Sequence, residues 1–140
     1  MVKKNTMNLI LLITCLFWVE FALASASNNV VYSSDISVSF ENGSAKFEPG
    51  PVTSSILESA KSASMIVVNG RTSSEVKSDH DERLALSRVI AARRYLIQQG
   101  VSAQKIMINY VSAEDYATGN NTPEGRFFNQ RVDIQLIYSQ

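Results

Sequence analysis

Between Val30 and Phe40, Ile36, Val38 and Phe40 alternate with Asp35, Ser37 and Ser39, the period of two that predicts a half-buried strand. Residues 43–50 read as a loop, and Pro51 is well placed at a helix start. Val52, Ile56, Leu57, Ala60 and Ala63 then fall on one predicted helical face. Met65 to Val68 is a short apolar run bounded by Gly70, which suits a central strand. After a polar loop over 70–79, Asp79-x-x-Glu82 resembles a capping box opening a second helix, with Asp81 adding favourable charge. That helix carries Leu86, Val89, Ile90, Leu96 and Ile97 inward and stops at Gly100. Ile106, Ile108 and Tyr110 mark a third strand, 112–126 a loop, and Val132, Ile134, Leu136 and Tyr138 a last strand. The order β-α-β-α-β-β predicts an α+β domain: a mixed sheet with its helices packed on one face.

The start of the chain has a different pattern. Lys3 and Lys4 precede an apolar run from Leu9 to Val19, and Phe21-Ala22-Leu23-Ala24-Ser25-Ala26 follows. Basic, then apolar, then small is the order of a secretory signal peptide, with cleavage expected after Ala24 or Ala26. Residues 1–26 are therefore read as a leader and 27–140 as the domain. The apolar core is short for a membrane span and Glu20 fits badly in lipid. An uncleaved anchor is one alternative to the leader. Lipidation at Cys15 is another, although Thr14 is bulkier than the residue such a site prefers.

Composition narrows the function. The 140 residues hold 13 basic and 13 acidic groups, and removing Lys3, Lys4 and Glu20 leaves 11 against 12. Nucleic-acid binding, which needs a basic excess, is not expected. The single Cys excludes a disulfide framework and a Cys-based zinc site. Asp79-His80-Asp81-Glu82 could suggest a metal cluster, but adjacent helical residues point apart and cap chemistry explains them. With one His and no nucleophile elbow, a hydrolase triad through Ser73, His80 and Asp81 has little support. No cofactor or metal is expected.

Several spaced motifs resemble one family. Gly70-Arg71-Thr72 is similar to the G-x-T-D turn of OmpA-like, peptidoglycan-associated domains. Asp81 through Arg88 resembles their N-x-x-L-S-x-x-R-A helix start, and Tyr95-Leu96, Gly100-Val101 and Lys105-Ile106 resemble the "YL…GV…KI" stretch. Asn121-Thr122-Pro123-Glu124-Gly125-Arg126 and Asn129-Gln130-Arg131-Val132-Asp133-Ile134 are similar to the N-T-x-E-G-R…N-R-R-V-x-I ending. Phe40…Gly43-Ser44-Ala45…Phe47 has a counterpart in the family's first strand and loop, so the resemblance runs over roughly residues 33–138.

The resemblance implies a non-enzymatic periplasmic module, associated with the outer membrane, that binds peptidoglycan without a covalent bond. The ligand is the diaminopimelate of the stem peptide, whose ammonium needs a fixed anion and whose carboxylates need fixed cations or backbone N–H groups. Each such charge-assisted contact contributes roughly 1.5–3 kcal/mol. Carried over by position, the helix arginine is Arg88, the turn aspartate is replaced by Ser73 beside Thr72, and the helix-start asparagine is Asp81. In the late N-R-R, Asn129 and Arg131 remain and Gln130 stands for the first arginine. Three of the four polar contacts have changed type. Either Asp81 supplies the negative charge that Ser73 lacks and the pocket stays zwitterionic, or wall binding is lost. In the second case the fold serves as a protein-interaction subunit of a secretion, conjugation or pilus apparatus. Losing an anion and a cation at ~2 kcal/mol each would weaken binding on the order of a thousandfold.

Overall fold

The computed structural model describes residues 30–140, so the predicted leader and Cys15 lie outside the described residues. Four strands, β1 (Val31–Ser39), β2 (Met65–Gly70), β3 (Ile106–Tyr110) and β4 (Arg131–Ser139), form one sheet in the order β1-β4-β2-β3. β2 and β3 are parallel, while β4 runs antiparallel to both β1 and β2. Among the described residues three α-helices, α1 (Pro51–Leu57), α2 (Asp79–Gln98) and α3 (Pro123–Asn129), accompany the sheet. Among the described residues no helix is long and apolar enough to cross a membrane.

Alternation along the strands puts Ile36, Val38, Ile66, Val68, Val132, Ile134 and Leu136 on one buried face. Against it α2 lays Ala85, Val89, Ala92 and Leu96, spaced by three and four residues as one helical stripe requires. Alanines at 85 and 92 let the helix come close to the sheet. The approach is tight at Gly70, where a Cβ would stand 2.5 Å from the Ala85 carbonyl oxygen and 2.6 Å from Val89 Cγ1.

The first helix departs from expectation. Val52 and Ile56 are exposed, at 75% and 42%, whereas Leu57, Ala60 and Ala63 are fully buried. The α-helix lasts seven residues and then tightens into a 3₁₀ segment, Glu58–Ser62. A 3₁₀ turn repeats every three residues, so positions 57, 60 and 63 share a face that a 3.6-residue stripe drawn from Val52 misses. In α2, Ile90 is 42% exposed and Leu86 and Ile97 only half-buried, so the predicted inward set is too wide.

The cap of α2 also sits one residue earlier than the capping-box pattern places it. Ser78 is the N-cap, and its Oγ accepts the Asp81 N–H at 3.2 Å and donates to Asp81 Oδ2 at 2.6 Å. Asp81, not Glu82, is therefore the acidic partner. At the far end Gly100 takes φ +94°, and Val101 N–H reaches back to Leu96 O at 3.0 Å, closing the helix as expected. The predicted 112–126 loop contains the start of α3, which Thr122 caps by accepting the Gly125 N–H at 3.0 Å.

Candidate functional site

Where α2 crosses the end of the sheet, its inward stripe holds a charge. Arg88 is fully buried. Its Nε donates to Ser44 O at 2.8 Å and its Nη1 to Arg71 O at 2.9 Å. Nη2 donates to Glu41 O at 3.3 Å and to Gln130 Oε1 at 3.2 Å. The guanidinium also lies 5.0 Å from the centre of the Phe40 ring, which adds a cation–π attraction. No acidic side chain is within ion-pair distance of it among the described residues. Burial pushes its pKa down to about 10, with the charge of Asp81 acting in the opposite sense, so it remains a cation at neutral pH.

The other expected residues divide into three groups. Gln130 touches Arg88 directly, and the peptide between Arg71 and buried Thr72 supplies one of its acceptors. Asp81 stands near this cluster on α2 while serving its own helix cap. Ser73 contributes its carbonyl, which accepts from Asn120 Nδ2 at 2.7 Å, and Ser74 Oγ donates to Thr72 Oγ1 at 3.2 Å. These bonds hold the turn that leads from β2 into α2.

Asn129 and Arg131 lie elsewhere. Asn129 is fully buried and clamps the preceding loop: its Oδ1 accepts the Ala117 and Thr118 N–H groups, and its Nδ2 donates to Thr118 O and Asn120 Oδ1. Arg131 belongs to the opposite face of the sheet from buried Val132 and Ile134. There its Nε is held by both oxygens of Asp133 and its Nη2 by Asp115 O. Arg71 joins the same face, pairing with Asp115 Oδ2 through Nε at 2.9 Å and Nη2 at 2.8 Å. The sequence has no signal for this pair, because 44 residues separate the partners and Asp115 needs an uncommon φ of +59° to reach.

Asp81 carries a pH signature. Its carboxyl is held below the usual aspartate range, chiefly by the Ser78 hydroxyl, with burial opposing and Ser74 and His80 assisting. A carboxyl depressed in the folded state contributes stability that is present above its unfolded pKa of about 3.9 and lost as pH falls through the lower folded value. Wild-type melting temperature is thus expected to drop more steeply below pH ~4 than that of Asp81→Asn. Parallel pH–melting curves for the two proteins would show that Asp81 makes no such contribution.

With this geometry the chain can be compared with known proteins. The sequence model of the OmpA family matches residues 39–130, and the chain belongs to that family. A Brucella suis protein, provisionally described as an outer membrane lipoprotein of a type IV secretion system, is 39% identical over 72 residues. That stretch is 51% of this chain and 42% of the relative, so this chain spans less than half of the relative's length. Among solved structures, the cell wall anchor of the type VI secretion system from Pseudomonas aeruginosa superposes with a TM-score of 0.62 at 18% identity. The match covers 79% of this chain and 87% of that one. The peptidoglycan-associated lipoprotein of Burkholderia pseudomallei gives 0.59 at 21% identity, covering 74% and 89%.

Proposed function

We propose that residues 27–140 form a non-enzymatic envelope module that, after removal of a leader over 1–26, holds an assembly against peptidoglycan from the periplasm, close to the outer membrane. The observation that carries this reading is Arg88. A guanidinium kept at the family's helix position, bonded to neutral oxygens and to no carboxylate among the described residues, is a candidate partner for the carboxylate of a stem-peptide diaminopimelate. Asp81, the carboxylate whose charge acts on Arg88, is the candidate for the ligand's ammonium, in place of the aspartate that Ser73 replaces. Two of the acceptors now facing Arg88 are the carbonyls of Glu41 and Ser44, which flank a tight turn whose other groups face solvent. In the bound state this turn would yield its place to the ligand carboxylate. Such an exchange replaces neutral acceptors by a charged one and is favourable by the usual advantage of charge-assisted bonds.

The processed chain is expected to co-sediment with isolated sacculi. Asp81→Asn should bind roughly 30-fold more weakly, the loss of one charged contact of ~2 kcal/mol, and adding Ser73→Asp should restore binding. Equal binding by wild type and Asp81→Asn would remove Asp81 from the site. Failure of the folded wild type to sediment would overturn wall binding altogether.

A second reading has its own support: most of the Arg88 donors are already satisfied by the protein's own oxygens. On that reading the guanidinium is a structural bolt, and the module serves only as an interaction subunit of an envelope apparatus such as a type IV secretion system. Release of no soluble muropeptides is expected on either reading.

A further inference from the structure

We propose that β3 is the pairing edge of a symmetric homodimer, an interaction that goes beyond wall binding and stands independently of it. The sheet order leaves β3 with a single neighbour. Val111 N–H donates to Gly70 O at 3.1 Å, so by alternation of backbone groups Ile108 and Tyr110 direct their N–H and C=O to the free side. Natural edges are usually blunted by charge, proline or a bulge. Ile106–Tyr110 contains no charge and no proline, and Met107, Ile108 and Tyr110 are 57%, 41% and 38% exposed.

The occupant we infer is a second copy of this chain, because the surface is complementary to itself. Antiparallel pairing about Ile108 sets that residue opposite Ile108 of the second copy and Tyr110 opposite Ile106, all of them edge-directed. The Ile106 N–H already donates to Ala103 O, so Ile106 offers only its carbonyl, which Tyr110 N–H of the other copy can use. α2 packs over β2 and β3. With strands about 4.8 Å apart, two copies joined at β3 would bring their α2 helices to about 10 Å, a separation at which helices pack.

The side chains along that flank of α2 match the same twofold axis. Asp79, Glu82, Arg83 and Leu86 line a cleft of about 180 Å³ with Tyr110. Ile90 and Arg94 follow on the same stripe at successive steps of four. Tyr110, the last residue of β3, meets the first turns of α2, so strand and helix run in opposite directions and the level of Ile108 is near that of Ile90. An axis through Ile108 therefore brings exposed Ile90 towards its own copy. It also sets each Arg94 opposite Leu86 of the other helix, about one turn from its Glu82, within the span of a long arginine side chain. Arg94 is exposed and makes no ion pair among the described residues.

Sedimentation equilibrium of the processed chain across the micromolar range tests this. Wild type is expected to dimerise. Ile108→Lys and Ile90→Glu should be monomeric with unchanged far-ultraviolet circular dichroism. Arg94→Glu should weaken the dimer by about tenfold, two symmetry-related surface contacts being lost, and Glu82→Arg in the same chain should restore it. A monomeric wild type overturns the proposal, including one that pairs only with another envelope protein. So does a dimer that survives both Ile108→Lys and Ile90→Glu.

Discussion

Gly70→Ala is expected to destabilise the domain by about 3 kcal/mol, the upper part of the range for overpacking a filled core. The added Cβ would lie 2.5 Å from the Ala85 carbonyl oxygen and 2.6 Å from Val89 Cγ1. A rotamer change would relieve the Val89 contact by itself, but the Ala85 oxygen belongs to the backbone of α2 and has no such freedom. Relief therefore requires the helix to move off the sheet, which opens gaps beside Val68, Val132 and Leu96. Glycine at 70 is needed here for space, not for an unusual φ. Chemical denaturation should show a lower midpoint with an unchanged slope. A wild-type midpoint would mean that α2 does not approach β2 this closely. Because α2 also carries Arg88 and Asp81, the same variant should weaken any sacculus binding together with stability.

Arg88→Met is expected to cost a similar amount, about 3 kcal/mol, for a different reason. Methionine keeps the unbranched stem but ends short of the guanidinium nitrogens, so the carbonyls of Ser44 and Arg71 and Gln130 Oε1 lose their donor, while the Glu41 carbonyl keeps the Ser44 N–H. A hydrogen bond to a charged group contributes roughly 1.5–3 kcal/mol, and a buried unsatisfied acceptor costs about 1–3 kcal/mol. Relief from burying a cation that lacks a carboxylate partner offsets part of that sum. The Glu41–Ser44 turn is the part that should loosen, so faster amide hydrogen exchange at residues 41–46 is the accompanying signature. Gln130→Met tests the same network from the other side and should cost less, since it removes one of the four acceptors and leaves three. A fully stable Arg88→Met protein that fails to bind sacculi would make Arg88 a ligand contact alone. A destabilised one that still binds would make it a structural bolt alone.

Most of the strands were legible from the sequence because their evidence is local. Ile36, Val38 and Phe40, and Val132, Ile134 and Leu136, alternate with polar neighbours, and a period of two has few other structural solutions. The long helix was legible for the same reason, down to its αL stop at Gly100. Its cap was missed by one residue because Ser78, Asp79 and Asp81 are all good capping residues, and spacing alone does not choose among them. The face of α1 was misread because a helix can change from 3.6 to three residues per turn without a sequence mark.

For the site, the sequence by itself determined which residue types were present: an arginine within α2, a serine where the family has an aspartate, and Gln130 where it has an arginine. Only the tertiary structure decided what those residues touch. It drew Gln130 onto Arg88, sent Arg131 to the other face of the sheet, and gave Asn129 to the 117–120 loop. These outcomes depend on backbone carbonyls, which every residue carries, and on contacts between positions far apart in the chain. Neither leaves a pattern in the order of side chains.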